Sequence, residues 1–261
     1  MKRIAICNSK GGVGKSTGTI SMAVTAVKNG YKVLLIDIDP QGTCTFLSHL
    51  DSIGLNNASK MFQDEPVNPS ELAIKTKYGY DIVAAAPSLL ESSDWIHKTS
   101  MGEQRLSLLF KRDVDLDKYD FVFIDTAGDK SRLVYSVLYA VYSVLIPVRP
   151  SAIATNELVD FVEIINDVSA MRVSLGQIPL ECDSVYFTLL EEFGGNPTIA
   201  AKSNMADVRV GLKDLMPVSE TTIPTSTAVE KAALEKAPVV SVYPDEKVSL
   251  RYSELFNEVY G

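Results

Sequence analysis

The chain opens with the apolar run Ile4-Ala5-Ile6-Cys7 and breaks at once into "NSKGGVGKST", residues 8–17. An apolar strand that ends in Gly11, Gly12 and Gly14 and resumes as a helix at Lys15-Ser16 constrains the fold more than any other stretch. Glycines let the backbone turn its N–H groups inward, and the helix that follows adds its positive N-terminal end, so the loop forms a cradle for phosphate oxygens. Lys15 then neutralises the outer phosphates of a nucleotide, and the Ser16 hydroxyl suits Mg²⁺. The cradle spans Gly11, Gly12, Val13, Gly14, Lys15, Ser16 and Thr17. Lys10 is surplus to it, since one lysine suffices. On the residues alone Lys10 reads as an exposed side chain at the start of the loop.

Beyond the loop, helical patterns alternate with short β-branched runs. Strands are expected at 3–8, 32–37, 81–85, 121–125, 144–148, 184–190 and 221–223, and helices at 16–29, closed by Gly30, and 152–171, introduced by Pro150-Ser151. Several of the strands are apolar on both faces, as buried parallel strands are. The pattern predicts an α/β fold: a single-domain, doubly wound, mostly parallel sheet over residues 1–261. The stretch "LVYSVLYAVYSVLIPV" (133–148) carries serines and tyrosines and falls short of the ~20 residues of a membrane span. It reads as a buried helix followed by a buried strand. Residues 47–77 interrupt the rhythm and are expected to form loops and short helices.

Two strands end in carboxylates. "VLLIDIDPQG" (33–42) places Asp37 and Asp39, and "FVFIDTAGDKS" (121–131) places Asp125, at the carboxyl edge of the sheet. Ligands of open α/β sheets bind at that edge, so all three are expected beside the phosphate loop. A carboxylate there can hold Mg²⁺ through its waters, and Asp125 is the best placed. The formal charge of −8 excludes a globally basic nucleic-acid binder but leaves room for a local basic patch. Cys7, Cys44 and Cys182 are few and unevenly spaced, which points to reduced thiols in a cytoplasmic protein.

These motifs resemble the ParA/MinD/Soj family of P-loop ATPases, marked by a deviant Walker A loop with an extra lysine, here Lys10-Gly-Gly-Val-Gly-Lys15-Ser-Thr. The likeness continues through "DIDPQG", "FIDTAG", "IPVRPS" and the closing stretch from Thr221. The resemblance implies ATP and Mg²⁺ as ligands and an ATP-bound homodimer, in which Lys10 reaches the partner's phosphates. It makes Lys10, Lys15 and Asp39 catalytic, with Asp39 positioning the attacking water in the first switch. Ser16, Asp37 and Asp125 become the metal-associated residues, and Asp125-Thr126-Ala127-Gly128 the second switch. Thr188 and Pro224, at the ends of later strands, would flank the adenine.

Within the family, the acidic tail "EKVSLRYSELFNEVYG" disfavours a membrane anchor, because Glu246, Glu254 and Glu258 outnumber Lys247 and Arg251. The cysteines do not fit a bridged iron–sulfur cluster. The early phosphate loop is expected to leave no room for an N-terminal helix-turn-helix. The resemblance therefore implies a partitioning or cargo-positioning ATPase of slow basal turnover, stimulated by a ParB-like or adaptor protein. It also implies non-specific DNA binding, and so nucleoid association in the ATP state. Pro224-Thr-Ser-Thr-Ala228 lacks the basic residues of many relatives. Lys202, Arg209 and Lys213 lie seven and four residues apart, which puts them on one helical face and makes them the DNA-binding candidates. A small-molecule kinase or ligase on the same scaffold is the rival reading.

Overall fold

The computed structural model describes residues 1–50, 56–190, 192–193 and 196–261. In chain order its elements are β1 (Lys2–Ile6), α1 (Lys15–Lys28), β2 (Val33–Asp37), α2 (Thr43–Leu47), α3 (Pro69–Leu72), β3 (Ile74–Lys75), β4 (Asp81–Val83), α4 (Leu89–Lys98), α5 (Arg105–Arg112), β5 (Phe121–Asp125) and α6 (Arg132–Ala140). There follow β6 (Ser143–Val148), α7 (Ala154–Ser174), β7 (Glu181–Leu190), the short pair β8 (Glu192–Phe193) and β9 (Asn196–Pro197), α8 (Ile199–Leu212), β10 (Val218–Pro224), α9 (Thr227–Leu234), α10 (Val239–Val242) and α11 (Lys247–Tyr260).

The main sheet runs β10-β7-β6-β1-β5-β2-β4-β3. Its pairs are parallel except the edge strand β3, which runs antiparallel to β4. Alternate residues of each central strand serve opposite layers. Ala5, Ile36, Ile124 and Ile146 pack under α4–α8, while Ile4, Ile6, Leu35, Phe123 and Leu145 pack under α1, α2 and α9–α11. Helices on both faces explain why these strands read as continuous apolar runs rather than alternating ones. Each seated large side chain contributes about 1.5–3 kcal/mol of burial.

All seven expected strands form, with ends displaced by a few residues. Residues 133–148 resolve into α6 and β6, as their composition suggested. The 47–77 stretch holds a 3₁₀ turn at Ala58–Met61, α3 and β3, while residues 51–55 within it lie outside the described residues. The tail helix α11 is a core element: Val248, Tyr252, Leu255 and Phe256 are buried, and the Phe256 ring packs at a tilt against Phe121 and Tyr260. Among the described residues no helix is long and apolar enough to cross a membrane.

Strand register sets up the functional edge. Ile6 pairs with Asp125, and Asp125 pairs with Asp37. The loop that leaves β1 therefore emerges beside two strand-end carboxylates.

Candidate functional site

The phosphate loop turns on backbone that other residues would strain to adopt. Gly12 and Gly14 have φ of 71° and 85°, and Gly14 starts α1, accepting from the N–H of Gly18 at 2.8 Å. Asn8 pins the loop's entry: its amide donates to the Pro147 carbonyl at 2.8 Å, and its Oδ1 accepts from the Lys10 N–H at 3.0 Å. The Thr188 hydroxyl donates to the Val13 carbonyl at 2.7 Å from the far side. Lys15, only 6% exposed, folds back over the loop and donates to the Lys10 carbonyl at 2.8 Å. Burial pushes its ammonium pKa down, against the opposing pull of Asp125 and Asp39.

The loop floors a cleft of about 520 Å³, walled by Lys15, Ser16, Asp39, Gln41, Ala127 and Gly128 among others. Gly128 closes it tightly. A Cβ there would lie 2.6 Å from Lys15 Nζ and 3.0 Å from the Gly11 backbone. Asp39 reaches the cleft from the loop after β2, where its carboxylate accepts from the Gln41 N–H at 2.9 Å.

The other two carboxylates are fully buried. Asp125 accepts from the Thr19 hydroxyl at 3.0 Å and contacts Cys44 Sγ at 3.5 Å. Burial pushes its pKa up to about 6, although hydrogen bonds from Ser16 and Thr19 hold it back. Asp37 is engaged otherwise: one oxygen accepts both the N–H and the hydroxyl of Thr45 at 2.8 Å, and the other accepts the Asp39 N–H. Burial and the Asp125 charge push its pKa up to about 8. Asp37 thus anchors the Asp39 loop to α2.

Ser16 and Asp125 offer hard oxygen donors next to the cradle, which fits Mg²⁺. Among the described residues no cluster of three His, Cys, Asp or Glu side chains could chelate a metal by itself.

Lys10 points out of this cleft. Its ammonium lies 2.7 Å from Glu157 Oε2 on α7, with the two side chains 35% and 34% exposed.

A family model described as an AAA domain matches residues 1–175. Soj, the sporulation initiation inhibitor protein of Bacillus subtilis, is 27% identical over 271 residues, covering 99% of this chain and 98% of that protein. A Cyanothece McdA structure with ATP superposes with a TM-score of 0.82 at 19% identity, over 100% of this chain and 98% of the other. Cobyrinic acid a,c-diamide synthase from Mycobacterium smegmatis, with an ATP analogue and magnesium, gives 0.79 at 24% identity, over 98% and 93%. The chain belongs to the ParA/MinD-type ATPases. It spans 64% of the length of two Pseudomonas putida proteins to which it is 32% identical over 175 residues.

The remaining expected sites of this ParA/MinD-type ATPase fall in two places. Thr188 and Pro224 come together with Gly14, Thr17, Ile223 and Tyr252 around a smaller cavity of about 140 Å³ beside the phosphate loop. Its apolar walls suit a planar base.

The basic face on α8 is less uniform than its spacing suggested. Lys202 and the helix-capping Lys213 are exposed. Arg209 instead folds onto the neighbouring strand, bridging Glu220 at 3.0 Å, donating to the Ser219 carbonyl at 2.8 Å and lying 5.5 Å from the Phe187 ring.

Sequence reasoning missed Glu157, Thr19, Thr45 and Cys44. Thr19 carried a usable signal, since it lies one helical turn after Lys15 on the loop side of α1. Glu157 and Cys44 act across 147 and 81 residues of sequence, whereas Thr45 turns back onto Asp37 from eight residues on, with no pattern to mark it.

Proposed function

We propose that this chain is a nucleotide-switched ATPase that partitions DNA or positions another large cargo. It binds ATP in the cleft above Gly11–Thr17, with the base beside Thr188 and Pro224 and the phosphates over Lys15. Bound Mg²⁺ would neutralise the phosphate oxygens, held near Ser16 and through waters by Asp125, with Asp37 bracing the adjoining loop. Asp39 orients the attacking water as an ionised acid at the cleft wall. Lys10 leaves Glu157 and reaches the nucleotide of a second copy, placing positive charge where the transition state spreads negative charge.

The observation that carries this reading is the division of labour between two lysines. Lys15 is buried over the cradle, whereas Lys10 stands outside it on a half-exposed ion pair that can be exchanged. A small-molecule kinase or ligase generally needs no cross-dimer lysine, so the outward Lys10 favours the switched ATPase. In the proposed cycle the ATP dimer binds DNA without sequence preference, and a ParB-like or adaptor protein speeds a slow basal hydrolysis. The protein would then be cytoplasmic and reside on the nucleoid while ATP-bound.

The test is ATP turnover with and without random duplex DNA, alongside light scattering with Mg-ATP. ATP-dependent dimerisation, with hydrolysis that Lys10→Ala abolishes while nucleotide binding persists, is the expected result. Normal hydrolysis by an ATP-saturated monomer overturns the reading.

A further inference from the structure

The opposite end of the sheet carries two arginines that the nucleotide site does not use. Arg3 is the second residue of β1 and Arg172 lies in the last turn of α7; they are 6% and 3% exposed, and neither Nε has a hydrogen-bond partner. The Arg3 guanidinium lies 4.1 Å from the centre of the Tyr142 ring and 5.6 Å from that of Phe110. Arg172 Nη1 donates to the Leu138 and Val141 carbonyls at 3.1 and 2.6 Å, which caps the end of α6. That cap accounts for one edge of the Arg172 guanidinium, but for neither orphaned Nε.

Both arginines line a cavity of about 190 Å³, together with Lys111 of α5, Ser107, Tyr142 and Gln177. No Asp or Glu is among the described residues that line it. Burial and then the Arg3 charge push the Arg172 pKa down, as expected of neighbouring cations that lack a counter-ion. A buried charged donor without a partner is costly, and native structures seldom tolerate two side by side.

We propose that this pocket binds a small oxyanion of the phosphate type, held by Arg3, Arg172 and Lys111. Guanidinium groups match tetrahedral oxyanions through paired N–H donors, and three cations compensate a dianion. The Ser107 and Tyr142 hydroxyls and the Gln177 amide supply further donors. At ~30 Å³ per water the cavity holds roughly six waters, room for one phosphoryl group but not for a nucleotide. The site is separate from the cradle. Arg3 and Asn8 mark opposite ends of the first strand and its exit, about 16 Å apart along an extended chain. An anion here would tie β1 to α5 and to the α7–β7 turn, and so stabilise the sheet without competing with ATP.

The experiment is isothermal titration of inorganic phosphate, and separately of glycerol 3-phosphate, at constant ionic strength in chloride. It is run with saturating Mg-ADP and repeated with the Lys15→Ala chain, so that binding at the phosphate loop is recognised even if the nucleotide reading fails. One saturable site per chain is expected under both conditions. Exposed Lys111→Gln should weaken it five- to tenfold and Arg3→Gln should abolish it, with folding checked by circular dichroism. Should Arg3→Gln not fold, Lys111→Gln decides. Binding of inorganic phosphate alone identifies the free anion, and equal or tighter glycerol 3-phosphate identifies a phosphoester; either supports the site. No saturable binding, binding lost with Mg-ADP or Lys15→Ala, or constants unchanged by Lys111→Gln overturn it.

Discussion

Lys10 Nζ and Glu157 Oε2 lie 2.7 Å apart, joining the phosphate loop to α7 across 147 residues of sequence. In the proposed dimer Lys10 must leave this partner. A half-exposed pair of this kind is worth about 0.2–1 kcal/mol. Glu157→Gln should therefore tighten ATP-dependent dimerisation by roughly two- to thirtyfold, since both protomers give up such a pair when the dimer forms. Sedimentation with a non-hydrolysable ATP analogue measures it. An unchanged or weaker dimer would show that Lys10 stays on α7.

In the proposed cycle Asp39 separates binding from chemistry. It lines the cleft but takes no part in the phosphate cradle, so Asp39→Ala should bind ATP normally and accumulate as an ATP dimer. Hydrolysis should fall by ~10²–10⁴, the usual cost of losing a positioned acid–base group. Turnover at the wild-type rate would remove Asp39 from the mechanism.

Gly128 tests the cradle from the other side. A methyl group there meets Lys15 Nζ at 2.6 Å and the Gly11 backbone at 3.0 Å. The core beneath is untouched, so Gly128→Ala should fold with little change in Tm but lose at least tenfold in ATP affinity. Titration with a fluorescent ATP analogue decides; wild-type affinity would mean that the second switch opens away from the loop when nucleotide binds.

The strands were legible because burial on both faces writes itself into the sequence as unbroken apolar runs. The phosphate loop was legible because its glycines and Lys15 act within ten residues. Neither signal reaches contacts set by the third dimension. Asp37 and Asp125 end paired strands in register, yet α2 turns back to give Asp37 the Thr45 hydroxyl while Asp125 faces Thr19 and Ser16 of α1. Spacing put Lys202, Arg209 and Lys213 on one face of α8, but it could not reveal that β10 would set Glu220 against Arg209. The antiparallel β3 is two residues long and too short for any periodicity to mark.

Buried Asp37 also predicts how stability depends on pH. Its carboxyl is raised to about 8 by burial and the Asp125 charge, against roughly 4 in an unfolded chain. The folded state therefore holds this proton more tightly than the unfolded state. The resulting stability is fully present below pH ~4 and is lost as pH rises toward 8. Nucleotide-free wild-type protein should lose more stability between pH 5 and 8 than Asp37→Asn, which cannot titrate. Urea unfolding of both chains across that range gives the comparison; parallel curves would mean that Asp37 is already ionised in the fold.

In the proposed cycle the α8 face sets the terms for DNA binding. Lys202 and Lys213 are exposed, whereas Arg209 is held by Glu220 and the Ser219 carbonyl, so the lysines should carry most of the contact. The proposed ATP dimer would double the face and present four lysines against a formal charge of −8 on each chain. Its binding to random duplex DNA should be weak and should fall steeply with salt, because each phosphate neutralised contributes about −0.9 to the slope of log affinity against log salt. Changing Lys202 and Lys213 together to glutamate should abolish the shift at moderate salt and flatten the slope by about 3–4. Glu220→Gln should act in the opposite sense, since it frees the Arg209 guanidinium and removes a negative charge beside the face. Gel shifts with ATP, ADP and no nucleotide, each at several salt concentrations, test all three. If wild-type protein with ATP leaves random DNA unshifted even at low salt, or if the double variant binds as well as wild type, α8 is not the DNA-binding surface. The cargo must then be positioned on some other scaffold.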